Sequence, residues 1–287
     1  MTSTQIGQPA NFTRRSKSFV KKFAHEGRFH LIPVYWLLRL SDFAREGMER
    51  SGSYRFADHM YQGIPSGRGF LGRWIDSILL NLPSTRSMRQ RCFASRDAMT
   101  EAFAAHRATH DPFRILTIPC GLPRDARDFV AQIATKEPIA AAGIEYIGID
   151  LDPEVIDAAR GFLAGSAFRN PEVRLGNALD AGCYPATPPH FIASTGLGEF
   201  LQDEELARFY QNVFDALAPG GTFFTSAAAS GRRTKALLQA FELDAHYRTS
   251  ADIESILARQ AWESVEITRD AVGLQTFVRA RKRAASA

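Results

Sequence analysis

The sequence is poor in cysteine and lacks any long, uninterrupted apolar run. Only three of its 287 residues are cysteines, namely Cys92, Cys120 and Cys183. Their wide separation is not that of a disulfide framework or of a zinc site, so we expect no metal site and a reducing, cytoplasmic location. The most apolar early segment, residues 31–40, contains Pro33 and Arg39 and is far shorter than the roughly 20 residues that a membrane-spanning helix needs.

The beginning of the sequence also lacks the pattern of a secretory signal peptide. Residues 1–12 are polar, and the basic cluster after them is not followed directly by an apolar run. We expect residues 1–12 to form a disordered tail. Basic residues close to Tyr35 and Trp36 suit the headgroup region of a membrane. Residues 14–50 are therefore interpreted either as a peripheral contact with the inner membrane face or as helices packed over the core.

The composition is that of an ordinary globular protein, with 45% hydrophobic and 23% charged residues. The net charge of +4 is only mildly basic and is consistent with a solvated surface. Five arginines form a denser basic set: Arg68, Arg73, Arg86, Arg89 and Arg91. We interpret this set as a solvated face, with recognition of phosphate or carboxylate groups as the alternative.

The first part of the chain has the apolar spacing of helices. The pattern predicts helices between residues 16 and 50, with interruptions near Gly27 and Pro33. It also predicts a helix over 73–82 and a following helix that Ser84 caps. Residues 13–110 are thus predicted to be a helical segment that serves as a lid or as a substrate-binding region.

From residue 113 onward, apolar runs alternate with helical patterns, as in a sheet that is covered by helices. We predict strands at 113–118, 144–150, 172–176, 190–196, 221–226, 262–268 and 274–281. We predict helices at 124–135, 153–163, 202–217 and at 232–241, 250–260 or both. The last two strands should form an antiparallel hairpin, because only a short turn around Gly273 separates them. The predicted fold class is therefore α/β, a Rossmann-like seven-stranded, mostly parallel sheet with an antiparallel last strand, preceded by an N-terminal helical segment.

The chain is organised around residues 113–152, whose pattern is strand, loop, helix and strand, with Asp150 at the tip of the second strand. In a parallel α/β sheet the loops after adjacent strands line a crevice, and an acid there can accept hydrogen bonds from both hydroxyls of a ribose. This stretch therefore indicates a cofactor that contains a nucleoside.

Three motifs resemble those of the class I S-adenosylmethionine-dependent methyltransferases. IEYIGIDLDPEVIDAAR, from Ile144, is similar to the second-strand motif of that family, VRLGNALD, from Val173, to its adenine motif, and ALAPGGTFFTS, from Ala216, to the turn before its fifth strand. Two further segments, residues 69–91 and 192–221, resemble a bacterial group of uncharacterised methyltransferases that are sometimes fused to α/β-hydrolase domains. The resemblance implies a cofactor-binding domain over residues 111–287, with S-adenosyl-L-methionine as the cofactor. The residues that it places at the cofactor are Pro119, Cys120, Gly121, Asp150, Leu151, Asn177, Ala178, Thr195 and Gly196.

The loop after the first predicted strand departs from the pattern of that family. The family loop usually reads acid-x-Gly-x-Gly-x-Gly, whereas this chain has Thr117, Pro119, Gly121 and Pro123 in those places. Only Gly121 keeps the freedom to adopt positive φ and to let a ligand approach the backbone closely. Thr117 cannot supply the carboxylate that often holds the methionyl amine, and Asp125, at the start of the next helix, is the nearest substitute.

Three residues are candidates for a catalytic role. Methyl transfer requires close alignment, and it requires a base only where the acceptor carries an acidic proton. Glu199, after the fourth predicted strand, can orient or deprotonate an acceptor, or it is only a favourable charge before the next helix. His59 and Tyr61 lie in an aromatic segment that can close over a cofactor, with a structural histidine as the alternative.

The acceptor is predicted only as a class. The residues after the fourth strand read STGLGEF, not the Asn/Asp-Pro-Pro-Tyr motif that is usual in methyltransferases of base amino groups, and no RNA-binding module occurs, so we expect no nucleic-acid partner. The basic, aromatic leader suits a small-molecule or lipid-like acceptor. Two alternatives remain on the same fold: transfer of an aminocarboxypropyl or aminopropyl group, and a non-catalytic methyltransferase-like scaffold.

Overall fold

The computed structural model of the chain describes residue 25 and residues 27–49, 53–107, 111–229 and 246–285. These residues form two compact units, the first up to Arg89 and the second from Gln90 onward. The division falls earlier than the boundary at residue 111 that the sequence predicts, and the predicted domain limits stay a prediction. The predicted tail at 1–12 and the predicted helix at 232–241 lie outside the described residues.

The first unit is helical, as the sequence predicts for this part of the chain. Its helices are α1 (Leu31–Leu38), α2 (Asp42–Glu49), α3 (Tyr54–Gln62), α4 (Gly69–Leu80) and the beginning of α5 (Pro83–His106). The predicted interruption near Pro33 is wrong, because Pro33 lies in the first turn of α1, where a missing N–H costs no helical hydrogen bond. The predicted cap at Ser84 is also wrong, because α5 already begins at Pro83, whose fixed φ suits the first helical position.

A buried carboxylate, that of Asp76 on α4, holds the loops of the first unit together. It is fully buried, and it accepts hydrogen bonds from the Ser41 hydroxyl and from the backbone N–H groups of Phe43 at 3.2 Å, Ser66 at 2.9 Å and Gly67 at 2.7 Å. Because hydrogen bonds to a charged group are about twice as strong as neutral ones, this single side chain fixes two loops against α4.

A seven-stranded sheet forms the centre of the second unit among its described residues. Its strands are β1 (Phe113–Thr117), β2 (Ile144–Asp150), β3 (Arg169–Leu175), β4 (Phe191–Thr195), β5 (Thr222–Ala228), β6 (Trp262–Arg269) and β7 (Gln275–Lys282). The strand order is β3-β2-β1-β4-β5-β7-β6, with β1 to β5 parallel and β7 antiparallel to both of its neighbours. The predicted Rossmann-like sheet and its terminal hairpin are therefore confirmed. Strand β3 begins before the predicted residue 172 and contains Pro171, which it tolerates because β3 is an edge strand.

The helices of the second unit pack on this sheet. They are the remainder of α5 together with α6 (Arg124–Lys136), α7 (Pro138–Ala141), α8 (Pro153–Leu163), α9 (Asp203–Ala216) and α10 (Ser250–Leu257), the last of which confirms the helix predicted at 250–260. Helix α9 buries Leu206, Phe209 and Val213, which recur at helical spacing, in the same core as Ile192 of β4 and Phe223 of β5. Because β1 to β5 run parallel, their carboxyl ends lie at one edge of the sheet.

Candidate functional site

The order in which strands are added to the sheet reverses between β1 and β4. From β1 the chain continues to β2 on one side, whereas β4 pairs with β1 on the other side. In open α/β sheets, ligands bind in the crevice outside the carboxyl ends of the strands at such a switch point. The loops after β1, β2, β3 and β4 therefore define the candidate site.

The loop after β1 lies against the end of β2 and leaves space beside its own backbone. Its Ile118–Pro119 peptide is cis, and the backbone N–H of Cys120 donates to the Ile149 carbonyl at 2.9 Å. Cys120 is buried, and burial raises the pKa of its thiol, as is typical of a cysteine that serves packing. Gly121 has a φ of +50°, and a Cβ at this position would meet no other atom within 4 Å. A ligand can thus approach this backbone without obstruction.

Asp150 ends β2 and faces this loop. Its side chain is only 9% exposed, Oδ2 accepts a hydrogen bond from the Gly121 N–H at 3.0 Å, and Oδ1 accepts one from the Asp152 N–H at 3.2 Å. Burial raises the pKa of the Asp150 carboxyl, and these backbone hydrogen bonds partly offset that rise. A carboxylate has about four acceptor sites, so both oxygens can still accept from ligand hydroxyls. Leu151, the next residue, is 42% exposed and offers an apolar surface beside the carboxylate.

Two polar side chains near the loop after β1 are engaged with the interior. The Thr117 hydroxyl is hydrogen-bonded to the Tyr146 hydroxyl, and both residues are buried. Asp125, at the start of α6, accepts from the Ser95 hydroxyl at 2.5 Å and from the Ala126 N–H at 2.9 Å. Asp125 therefore contributes to the packing of α5 against α6.

The turn after β3 is anchored to the remainder of the second unit. The Asn177 Oδ1 accepts a hydrogen bond from the Leu179 N–H at 3.0 Å. The Ala178 carbonyl accepts from the Tyr184 hydroxyl at 2.9 Å and from the Asn212 side chain at 3.2 Å. The side-chain amide of Asn177 also carries two N–H donors, which suit the ring nitrogens of an adenine.

A buried ion pair lies beyond the end of β4. Thr195 is partly exposed, and Gly196 follows it with a φ of +82°. Glu199 lies in a short 3-10 turn, is 8% exposed, and has an Oε2 without a hydrogen-bond partner among the described residues. Arg91 of α5 is 5% exposed, and its Nη1 lies 3.9 Å from the Glu199 Oε1. Burial raises the pKa of the Glu199 carboxyl, whereas the charge of Arg91 lowers it.

His59 and Tyr61 lie on α3, in the first unit. The His59 Nε2 is 3.1 Å from the Ile64 carbonyl and 3.3 Å from the Ser66 hydroxyl. Its Nδ1 is 3.8 Å from the Glu46 carboxylate, which raises the pKa of the imidazole. These contacts are typical of a structural histidine, and the catalytic role of His59 and Tyr61 stays a prediction.

Arg91 is the site residue whose environment the sequence misjudged. The prediction of a solvated face is wrong for this arginine, because its side chain is buried beside Glu199. The missed signal is the spacing on α5, where Arg91, Ser95 and Ala98 recur at helical intervals and are all buried. A cation on the buried face of a helix requires a partner, and that partner comes from a distant part of the chain.

Comparison with known proteins decides the family. The model of the Methyltransf_20 family, described as "Putative methyltransferase", matches residues 39–229, which is more than half of the chain. The chain belongs to this methyltransferase family. The curated Escherichia coli K12 protein YnbC, which is uncharacterised, is 30% identical over 172 residues. That match covers 57% of this chain and 28% of YnbC, so the chain spans little more than a quarter of the length of that relative.

Solved structures show the same fold. The crystal structure of a possible exported protein from Bordetella parapertussis has a TM-score of 0.68 at 20% identity and covers 88% of this chain and 87% of that chain. Magnesium protoporphyrin IX methyltransferase from Synechocystis PCC 6803, with bound SAM, has a TM-score of 0.50 at 12% identity and covers 78% and 90%. These structures confirm the predicted Rossmann-like fold, and the family model confirms the predicted resemblance to methyltransferases. Among the helices that the structure describes, none has the length and apolar character of a membrane span.

Proposed function

We propose that this methyltransferase binds S-adenosyl-L-methionine in the crevice at the switch point and transfers its methyl group to a small-molecule or lipid-like acceptor. The observation that carries the proposal is the position of Asp150. Its buried carboxylate ends β2, is oriented by the Gly121 N–H, and keeps acceptor capacity for two ribose hydroxyls.

The residues at the crevice fit such a cofactor. Gly121 leaves room beside the loop after β1, and the exposed surface of Leu151 suits the face of an adenine. The Glu199 Oε2 and the Ser194 Oγ are buried, and neither has a hydrogen-bond partner among the described residues. Native proteins contain few such atoms, and each calls for an explanation. A polar ligand near the end of β4 would supply the missing partner.

The chain contributes binding, orientation and exclusion of water. Bound S-adenosylmethionine supplies a methyl group on a positively charged sulfur. We assign the ribose to Asp150, the adenine to the turn at 177–178, and the space near the sulfur to the backbone at 119–121. Thr195, which ends β4, and Gly196, which follows it, would lie nearest the methyl group. Alignment of the acceptor with the methyl group can supply much of the rate enhancement, so methyl transfer does not require a particular catalytic residue.

Calorimetric titration with S-adenosylmethionine and S-adenosylhomocysteine tests this proposal. We expect both ligands to bind, because they share the nucleoside that Asp150 recognises. A chain that binds neither ligand at high micromolar concentration would contradict the proposal and favour a non-catalytic scaffold.

The nucleoside product separates methyl transfer from its alternative. Methyl transfer leaves S-adenosylhomocysteine, whereas transfer of an aminocarboxypropyl or aminopropyl group leaves methylthioadenosine. Membership of a methyltransferase family favours the first of these.

The proposed acceptor class and the proposed cellular location are linked, because a lipid-like acceptor is found at a membrane. We infer a cytoplasmic protein that touches the inner membrane face through residues 14–50, where it would meet a lipid-like acceptor. On α1, Val34 is 47%, Trp36 57% and Leu37 45% exposed. Apolar and aromatic side chains on one short helix suit insertion at the headgroup level.

Flotation with anionic phospholipid vesicles tests this membrane contact. We expect the chain to float with the vesicles and the Trp36→Glu variant to float less, because a charge replaces an aromatic side chain at the interface. Phe70→Glu is the matched control, because Phe70 is an 82% exposed aromatic residue on α4. Equal flotation of the chain and the Trp36→Glu variant, or no flotation of either, would refute the contact.

A further inference from the structure

The amino-acid end of the proposed cofactor needs partners that the loop after β1 does not provide. This end carries an ammonium and a carboxylate, both of which lose hydration in a crevice. Thr117 and Asp125 are engaged with Tyr146 and Ser95. The question of which residues hold this end rests on the proposed function, since it arises only if the cofactor binds.

Two groups of opposite charge occupy the side of the crevice beyond β4. The Arg91 and Glu199 side chains are 6% and 10% exposed, and their nearest N and O atoms are 3.9 Å apart. A charge-assisted hydrogen bond has a length of about 2.7–2.9 Å, so these two atoms attract each other without sharing a hydrogen bond. A buried carboxylate oxygen without a hydrogen-bond partner is costly, and the Glu199 Oε2 has none among the described residues, which makes this side of the crevice receptive to a polar ligand.

Gly196 makes room for the guanidinium. A Cβ at Gly196 would lie 2.9 Å from the Arg91 Nη1, and the φ of +82° also favours glycine at this position. The guanidinium therefore lies directly beside the backbone that ends β4. It also acts electrostatically on Asp125, at the start of α6. Arg91 is thus close to the end of β4 and interacts with the start of α6.

We propose that Arg91 and Glu199 bind the amino-acid end of S-adenosylmethionine, with the Arg91 guanidinium taking the carboxylate and the Glu199 carboxylate taking the ammonium. Each charge of the ligand then meets its opposite, and the Glu199 Oε2 gains the hydrogen-bond partner that it lacks among the described residues. In this arrangement Glu199 replaces the acid that Thr117 cannot supply. Glu199 is then a binding group and not a base that acts on the acceptor.

A purely structural ion pair would produce the same burial, so the test must separate binding from folding. Methylthioadenosine provides that separation, because it keeps the adenine and ribose but has neither the ammonium nor the carboxylate. The double variant Arg91→Met/Glu199→Gln removes both charges together and leaves no uncompensated charge in the interior.

We expect the double variant to bind S-adenosylmethionine at least about ten-fold more weakly than the parent chain, since it loses two charged hydrogen-bonding groups. Its affinity for methylthioadenosine should be unchanged in the same calorimetric titrations. Arg96→Met is the matched control, because Arg96 lies on the same helix, is paired with Asp97 and is partly exposed. This control should bind both ligands as the parent does.

Decarboxylated S-adenosylmethionine, which keeps the ammonium but lacks the carboxylate, tests separately which ligand group Arg91 binds and which group Glu199 binds. We expect Arg91→Lys, which keeps a charge but loses the planar fork, to weaken only ligands that contain the carboxylate. Glu199→Gln should weaken S-adenosylmethionine and its decarboxylated form alike, because both contain the ammonium.

The outcomes distinguish this inference from the function on which it rests. If the parent chain binds none of these nucleosides, the proposed function fails and the inference fails with it. If the parent binds S-adenosylmethionine and the double variant binds it equally well, only the inference is overturned. Equal loss of affinity for S-adenosylmethionine and methylthioadenosine would also overturn it, because it would show that the pair supports the fold and does not contact the amino-acid end.

Discussion

Replacement of Asp150 by Ala is expected to weaken S-adenosylmethionine binding by about 1–3 kcal/mol, or roughly 5- to 150-fold, because hydrogen bonds from two ribose hydroxyls to a carboxylate are lost. The same loss is expected for S-adenosylhomocysteine and for methylthioadenosine, since all three contain the ribose. Calorimetric titration of the parent and the variant measures the effect directly.

A neighbouring carboxylate supplies the control. Asp152 caps α8 by accepting a hydrogen bond from the Glu154 N–H at 2.9 Å, and Asp152→Asn keeps that cap while it removes a charge from the same loop. We expect this variant to bind the nucleosides as the parent does. Unchanged affinity in the Asp150→Ala variant would mean that the ribose site lies elsewhere.

The raised pKa of Asp150 adds a dependence on pH to the same prediction. The ribose hydroxyls donate to the ionised carboxylate, so affinity is fully present above the pKa of Asp150 and falls as the pH drops through it. Burial raises this pKa, so the fall should begin at a higher pH than for an ordinary aspartate. Asp150→Asn cannot titrate and should lack this part of the pH profile.

The features that the sequence predicted are those that short stretches encode. The acid at the end of β2 and the tight turn at Gly273 before β7 each depend on a few consecutive residues. Strands that alternate with amphipathic helices favour a parallel sheet, so the mostly parallel sheet followed from the pattern, whereas the strand order came from the structure. This is why the fold could be predicted without a structure.

Contacts between distant parts of the chain were not predictable in the same way. Nothing near Arg91 in sequence indicates Glu199 as its neighbour, because α9 and the loop before it fold against β4 and β5 far along the chain. The sequence showed that Thr117 stands where the family loop has an acid. Its hydrogen bond with Tyr146, from β1 to β2, could be predicted only with the register of the two strands. Such pairings depend on packing, which periodicity does not encode.

The loop that carries Glu199 depends on another arginine that the sequence did not single out. Arg248 is 5% exposed, and its guanidinium donates to the Gly198 carbonyl at 2.7 Å and to the Leu201 carbonyl at 2.6 Å. It also bonds the Asp203 carboxylate at 2.7 Å, which lies at the start of α9. One side chain thus holds both ends of the turn that contains Glu199.

Replacement of Arg248 by Ala is expected to lower the free energy of unfolding by about 3 kcal/mol, because two backbone carbonyls lose their donor and a buried charged network is broken. Urea unfolding measures this loss. The exposed pair of Arg259 with Glu204 on α9, with an N–O distance of 3.2 Å, provides the control, since Arg259→Ala should cost at most about 1 kcal/mol.

Arg248→Ala should also weaken S-adenosylmethionine binding, because Glu199 loses its fixed position, and methylthioadenosine binding should change less. Equal destabilisation by the two substitutions would show that the buried hydrogen bonds of Arg248 contribute no more stability than an exposed ion pair. Unchanged S-adenosylmethionine affinity would show that the turn does not position Glu199 for the ligand.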